Sequence, residues 1–153
     1  MAWVKKIMGV VLVALVGIQF FPAKRNQNDA IPTTDFNKIY DVSESIETIL
    51  TTSCYDCHSN NTNYPWYNKI QPITWFLENH IEEGKAELNF SRFGTYSKRR
   101  KRNKLRSIIN QIEKDEMPLS SYTLIHRDAK LSKDEKENLL NWLNQLKKNI
   151  YKP

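Results

Sequence analysis

Five consecutive residues, Cys54-Tyr55-Asp56-Cys57-His58, constrain this chain most, because they contain its only two cysteines. The spacing C-x-x-C-H is typical of covalent attachment of a c-type haem. Two thiols separated by two residues can form thioethers with the two vinyl groups of a porphyrin, and the adjacent imidazole then lies beneath the iron. We therefore predict haem c bound through Cys54 and Cys57, with His58 as the proximal axial ligand of the iron.

The motif alone leaves three other uses of a C-x-x-C pair open. A zinc site needs two further ligands, and the candidates are His80, His126 and carboxylates, without a second C-x-x-C. A thioredoxin-like redox pair is expected after a strand in a βαβ unit, which this sequence does not show. A structural disulfide is the third use, and it would make the chain a non-haem interaction domain.

The N-terminus has the pattern of a targeting segment. Lys5 and Lys6 precede an apolar run over residues 7–21 that only Gln19 interrupts. A charged start followed by an apolar stretch is typical of a secretory signal peptide, and the run is short for a membrane span. Because the bulky Phe21 stands where cleavage requires a small residue, an uncleaved transmembrane anchor is the alternative interpretation.

Either interpretation places the remainder of the chain outside the cytoplasm, where bacteria attach c-type haem. We therefore expect an exported, periplasmic protein that is anchored to the inner membrane if the segment is retained. The predicted organisation is a signal peptide or anchor over residues 1–23, a polar tether over 24–40 and a haem-binding domain over 41–153.

The net charge of +6 at pH 7 does not indicate a nucleic-acid-binding protein. Without residues 1–25, the chain carries 19 basic and 17 acidic residues, or +2. The most basic stretch is Lys98–Arg102, and we interpret it as the solvated start of a helix. An acidic redox partner or the haem propionates are its alternative targets.

Hydrophobic periodicity predicts an all-α domain. A first helix is predicted to begin at Asp41, capped by a box with Glu44, and to carry Cys54 at its end. Further helices are predicted over residues 73–87, 103–115 and 133–149, the last with a capping box from Ser132 to Glu135. The predicted fold is a small, cytochrome c-like helical domain around a covalently bound haem, preceded by the hydrophobic segment.

Met117-Pro118, in the loop after the third of these helices, supplies the predicted distal axial ligand. Met117 is the methionine available to the folded domain, since Met1 and Met8 lie in the N-terminal segment. Iron with His and Met ligands has a raised reduction potential, which suits electron transfer. His126 is the rival distal ligand, and the purely structural alternative is that Met117 fills a gap in the core.

Other residues near the motif are candidates for the haem pocket. The aromatic residues among them are Tyr64, Trp66, Tyr67 and Tyr122, and ordinary loop packing is their alternative role. Arg127 is a further candidate partner of a propionate. A backbone carbonyl in the proline-containing loop after His58 is expected to accept the second ring N–H of that histidine.

Three separated stretches resemble the haem-binding domain family of bacterial envelope proteins, which is related to cytochrome c. They are C-Y-D-C-H-S-N-x-T-x-Y-P-W-Y, W-F-x-x-x-H-I-x-x-G-K-x-x-L-N-F-S and M-P-L-S-S-Y-T-L-I-H, within residues 45–146. The resemblance implies haem on Cys54 and Cys57 with His58 as the proximal ligand, and Met117 matches the Met-Pro position of the family. Gly84, Asn89 and Ser91 belong to the pattern without a chemical role that the sequence reveals.

These observations favour a one-electron carrier with an unidentified redox partner. No nucleophile–base pair or paired carboxylates stand out, so an electron carrier is favoured over an enzyme. The alternative is a haem-based ligand sensor or a peroxidase-like module, in which the sixth iron position is labile or open.

Overall fold

The computed structural model describes residues 1–28 and 30–151, and these residues form no strand. The α-helices of this part are α1 (Ala2–Ile18), α2 (Phe36–Ile39), α3 (Glu44–Leu50), α4 (Asp56–His58), α5 (Ile73–Glu87), α6 (Lys98–Glu113), α7 (Ser120–Thr123) and α8 (Lys133–Tyr151). A π-helical turn covers Thr51–Tyr55, and 3₁₀ turns cover Trp66–Lys69, Phe90–Thr95 and Arg127–Ala129. The predicted all-α class is confirmed.

The ends of the helices test the predicted caps. In front of α8, the Ser132 backbone N–H and hydroxyl both donate to Glu135 Oε2, at 2.8 and 2.6 Å, so this capping box is confirmed. The box predicted at Asp41 is wrong, because α3 begins at Glu44 with Ser43 as its N-cap. Helix α6 begins at Lys98, so the basic stretch forms its first turns, as predicted, with residues 98–100 exposed and 101–102 half-buried.

The core lies between α3, α6, α8 and the 3₁₀ turn after α5. Large apolar side chains fill it, each worth about 1.5–3 kcal/mol when fully buried. Its fully buried members include Ile46, Leu50, Phe90, Phe93, Leu105, Leu139 and Leu143.

The segment predicted as a tether contributes a core residue. Phe36 on α2 is fully buried, and its ring meets those of Phe90 and Phe93 edge-on at centroid distances of 5.2 and 4.8 Å. Just before it, the Thr34 carbonyl accepts a hydrogen bond from the Gly94 N–H at 2.8 Å. A Cβ on Gly94 would lie 2.9 Å from Thr34 backbone atoms, so only glycine permits this approach. Residues 34–40 are thus packed onto the domain.

Helix α5 has the predicted bounds, but its apolar residues are only partly buried. Ile81 is fully buried, whereas Ile73 and Phe76 are 43% and 65% exposed. The other buried residues of α5 are Thr74 and Glu78. Its C-terminal end contacts the C-x-x-C-H motif, as described below.

The hydrophobic N-terminal segment forms α1, and none of its residues is buried. Its 17 residues are fewer than the about 20 that a membrane-spanning helix needs. Within residues 1–28 and 30–151, no helix is long and apolar enough to cross a membrane.

Candidate functional site

The C-x-x-C-H motif lies at the end of a continuous helical stretch. Helix α3 passes directly into the π-helical turn that contains Cys54, and α4 then carries Cys57 and His58. A π turn widens the backbone locally and is frequent at functional sites. Here the π turn contains Cys54, and Cys57 follows it in α4.

The His58 ring is oriented by two backbone carbonyls. Its Nδ1 lies 2.9 Å from the Gly84 oxygen and 3.1 Å from the Leu88 oxygen, both at the end of α5. Because both partners are acceptors, Nδ1 carries the proton and Nε2 is the ring nitrogen left to coordinate a metal. The acceptors had been expected in the loop after His58, but they come from the C-terminal end of α5, where the Gly84 carbonyl also accepts from the Leu88 N–H at 2.9 Å.

Burial lowers the pKa of His58, although the hydrogen bonds to Leu88 and Gly84 act in the opposite direction. The imidazole is therefore held neutral, which is the protonation state that binds a metal. The ring also meets Phe90 edge-on, at a centroid distance of 6.4 Å.

Gly84 is required by the close approach of α5 to the motif. A Cβ at this position would lie 2.9 Å from the Cys57 carbonyl oxygen and 3.4 Å from Cε1 of His58. The absent side chain thus lets the Gly84 carbonyl reach the imidazole. A glycine inside a helical pattern is the sequence signal for such a contact.

Asn89 and Ser91 fix the chain just after His58. The Asn89 side-chain amide donates to Oδ1 of Asn60 at 2.8 Å, and the Asn60 backbone N–H donates to Oγ of Ser91 at 3.1 Å. Both residues are buried. They therefore hold the exit of the motif against the turn that follows α5.

The two cysteines are free thiols of raised pKa. Burial raises the pKa of Cys54 to about 12, with a smaller contribution from Cys57. Burial and then the Asp56 charge raise the pKa of Cys57 to about 11. A thioredoxin-like pair instead has a lowered thiol pKa, so the raised values do not favour the redox-pair alternative.

The zinc alternative also lacks support in the geometry. In the part of the chain that the structure describes, no group of three or more His, Cys, Asp or Glu side chains could hold a metal ion.

Two adjoining cavities beside the motif, of about 300 and 220 Å³, form a largely apolar cleft. Cavities of this order accommodate small molecules and cofactors. The residues that line both are Ser53, Cys54, His58, Glu87, Met117 and Pro118. Both predicted axial residues and one cysteine thus share one cleft, and Cys57 lines the smaller cavity.

Met117 reaches the cleft through a tight turn after α6. Asp115 adopts a left-handed conformation with φ 57°, which ends the helix. The Met117 backbone N–H then donates to the Gln111 carbonyl at 3.3 Å, so the chain folds back over the last turn of α6. This turn directs Met117 and Pro118 towards the cleft.

Tyr122 connects the Met117 segment to the motif. Its hydroxyl donates to Oδ2 of Asp56 at 2.7 Å, and it lines the smaller cavity. Tyr122 is therefore the predicted pocket aromatic that the structure places at the cleft. Burial, followed by this hydrogen bond, raises its pKa well above the usual range.

The other predicted pocket aromatics lie elsewhere. Tyr64 accepts from the Asn26 N–H at 2.6 Å, and Trp66 is 77% exposed. The Tyr67 hydroxyl lies 2.6 Å from Nε2 of His126. None of the three lines either cavity, but Tyr67 and His126 line a third, small cavity that also touches Cys57 and Tyr122.

The rival ligand His126 lies outside both cavities as well. Its ring stacks on Tyr122 at a centroid distance of 4.3 Å, and Tyr67 occupies its Nε2. Arg127, the predicted propionate partner, does not line the cleft either. The sequence analysis missed Lys104, which lines the larger cavity 3.5 Å from a Glu87 oxygen. His80, which the sequence offered only as a candidate zinc ligand, lines the smaller cavity.

Comparison with known proteins agrees with this geometry. The family described as a haem-binding domain matches residues 13–145, which is most of the chain. No curated protein and no solved structure matches. The match includes the C-x-x-C-H motif, the last turn of α5 and the Met117 turn, and it confirms the resemblance found in the sequence. This chain belongs to the haem-binding domain family, and it is a haem-binding protein.

Proposed function

We propose that the protein is a one-electron carrier of the bacterial cell envelope, with a c-type haem attached to Cys54 and Cys57. Nε2 of His58 and the sulfur of Met117 are its axial ligands. The observation that carries the proposal is the pair of bonds from His58 Nδ1 to the Gly84 and Leu88 carbonyls. Such bonds fix the tautomer and the orientation of a metal-bound imidazole.

The bound haem would supply a ferric–ferrous couple, and the chain would supply its surroundings. His58 is held neutral and oriented, and Met117 lines the same cleft. Histidine with methionine raises the reduction potential relative to two histidines. No side chain needs to gain or lose a bond in this cycle, in keeping with a carrier rather than a catalyst.

Location in the envelope is supported by the apolar N-terminal helix with its two lysines and by the requirements of c-type attachment. We propose that α1 directs export to the periplasm and, where it is retained, holds the domain at the inner membrane. The redox partner would be a protein whose acidic surface meets the exposed turns of Lys98–Arg102.

The test is to produce the full chain in bacteria that mature cytochromes c. We expect haem that remains on the polypeptide after denaturation, and a c-type absorption spectrum. The double variant Cys54→Ala/Cys57→Ala should lose all covalent haem, whereas Ser45→Ala, at an exposed position of α3 outside both cavities, should keep it. An unmodified polypeptide from such cells would refute the proposal.

Carbon monoxide separates the carrier from the sensor or peroxidase alternative. A six-coordinate carrier should show no spectral change when the reduced protein is exposed to the gas. Immediate binding by the unaltered protein would mean an open sixth position and would favour the alternative.

A further inference from the structure

The first turns of α5 bury polar side chains and expose apolar ones. Thr74 and Glu78 are only 6% and 7% exposed, whereas Ile73, Trp75 and Phe76 are 43%, 40% and 65% exposed. A surface helix of a soluble domain normally places its apolar side chains inwards and its polar side chains in water. Three of the first four residues of α5 are therefore large, apolar and exposed, whereas polar side chains of the same helix are buried.

The chain at the C-terminal end of α1 is hydrogen-bonded to the start of α5 and to Gln71 shortly before it. The Gln19 side chain donates to the Gln71 carbonyl at 3.2 Å and accepts from the Gln71 N–H at 3.0 Å. Just after it, the Phe21 carbonyl accepts from Nε1 of Trp75 at 3.0 Å and from the Gln71 side chain at 3.1 Å. These four bonds hold the C-terminal end of α1 against the first turns of α5.

One exposed apolar surface results, which we call the apolar collar: Phe20, Phe21, Ile73, Trp75 and Phe76. Phe20 and Phe21 are 79% and 67% exposed. Contiguous exposed apolar residues mark a surface that another body covers. The collar continues directly into α1, none of whose residues is buried.

Cations stand beside the collar. Lys24 and Arg25 follow Phe21 in the chain, and Lys69 precedes the turn into α5. The described residues from Pro22 to Asn28 include no acid. An apolar surface with aromatic residues and flanking cations matches the boundary between lipid headgroups and acyl chains.

We propose that the apolar collar rests in the headgroup region of the lipid surface that receives α1, and so orients the haem domain on it. This inference rests on the membrane attachment in the proposed function. Helix α5 runs from the collar to the carbonyls that hold His58, so the haem site would lie roughly 15 Å along this helix from the collar, at 1.5 Å per residue.

The experiment measures protection of a thiol at position 76 in the full-length holoprotein. Once both native cysteines form thioethers, the variant Phe76→Cys contains one free thiol. Its rate of reaction with a water-soluble maleimide–polyethylene glycol is read as a gel shift, with and without vesicles of mixed anionic and zwitterionic phospholipid. We expect vesicles to slow labelling at least tenfold. Phe20→Cys should respond in the same way, and it serves as a second collar position.

The matched control is Asn110→Cys, at an exposed position on α6. Its labelling should be unchanged by vesicles. If the protein sediments with the vesicles while position 76 reacts as fast as position 110, the collar proposal is overturned and membrane attachment stands. If the protein does not sediment with them, the attachment itself fails.

One further outcome also overturns the collar proposal. Slow labelling of position 76 in buffer alone, together with a dimer in analytical ultracentrifugation, would show that a second copy covers the collar. Additional labelling at Cys54 and Cys57 would instead refute the covalent haem of the proposed function.

Discussion

The wall of the cleft formed by residues 54–60 and 84–91 includes buried residues, whereas none of residues 115–126 is buried. In this first wall, the His58 wall, the imidazole bonds two carbonyls, and Asn60 bonds both Asn89 and Ser91. In the second, the Met117 wall, half-buried and exposed residues are joined to the domain by the Met117–Gln111, Tyr122–Asp56 and His126–Tyr67 bonds and by the Asp115–Lys136 ion pair. Leu124 and Ile125 there are 76% and 64% exposed.

The difference indicates two roles for the walls. Segments with few buried contacts open at a lower free-energy cost than densely bonded ones. Under the proposed function, the His58 wall would therefore present a fixed ligand, and the Met117 wall would present one that can be released or retuned. Substitutions that reverse this order of stability would contradict the comparison.

Gly84→Ala should have the largest effect, because it attacks the His58 wall. The new methyl group would lie 2.9 Å from a backbone oxygen, and overpacking of this kind costs about 1–3 kcal/mol. We expect a lower urea midpoint and a lower yield of covalent haem. The control is Gly17→Ala, where a Cβ meets nothing within 4 Å and should leave both unchanged. Wild-type stability of Gly84→Ala would mean that α5 is free to move away from the motif.

Met117→Ala comes next, because it removes one axial ligand and leaves the His58 wall intact. The reduced variant should bind carbon monoxide stoichiometrically, where the parent protein does not, and its reduction potential should fall. His126→Ala is the control, and it should keep the parent spectrum. The opposite result for the two variants would transfer the distal role to His126.

Tyr122→Phe should weaken the Met117 wall without removing its ligand. Loss of the hydroxyl bond to the Asp56 carboxylate should cost about 1 kcal/mol and speed the entry of carbon monoxide. Tyr67→Phe removes a similar bond, to His126, away from the cleft. It should lower stability in urea to a similar degree without a change in the carbon monoxide rate. Equal rates in the two variants would show that Tyr122 does not restrain Met117.

Asp115→Gly should have the smallest effect, and a stabilising one. Glycine adopts a φ of 57° without the strain of a side chain, a gain of about 1 kcal/mol. The lost ion pair with Lys136 joins a largely exposed carboxylate and contributes little. We expect a net gain of about 0.5 kcal/mol in thermal unfolding. Asp115→Ala loses the ion pair but keeps the strain, so it should be less stable than the parent.

Local patterns predicted much of the fold and part of the site. The repeat of apolar residues located α5, α6 and α8, and the Ser132–Glu135 box marked the start of α8 correctly. Hydrophobic periodicity did not predict a buried residue that lies within a polar segment. Phe36 is a core residue in a stretch that reads as a tether, since its partners Phe90 and Phe93 are more than fifty residues away.

By itself, the sequence determined the haem-binding family, and its C-x-x-C-H and Met-Pro motifs predict c-type attachment because they are short motifs whose spacing is independent of the rest of the chain. Only the tertiary structure decided which groups serve them. The carbonyls that orient His58 belong to residues 26 and 30 positions further on, and they reach it because Gly84 has no side chain. Periodicity also could not reveal that α5 turns Phe76 outwards, since the rotation of a helix is set by what it packs against.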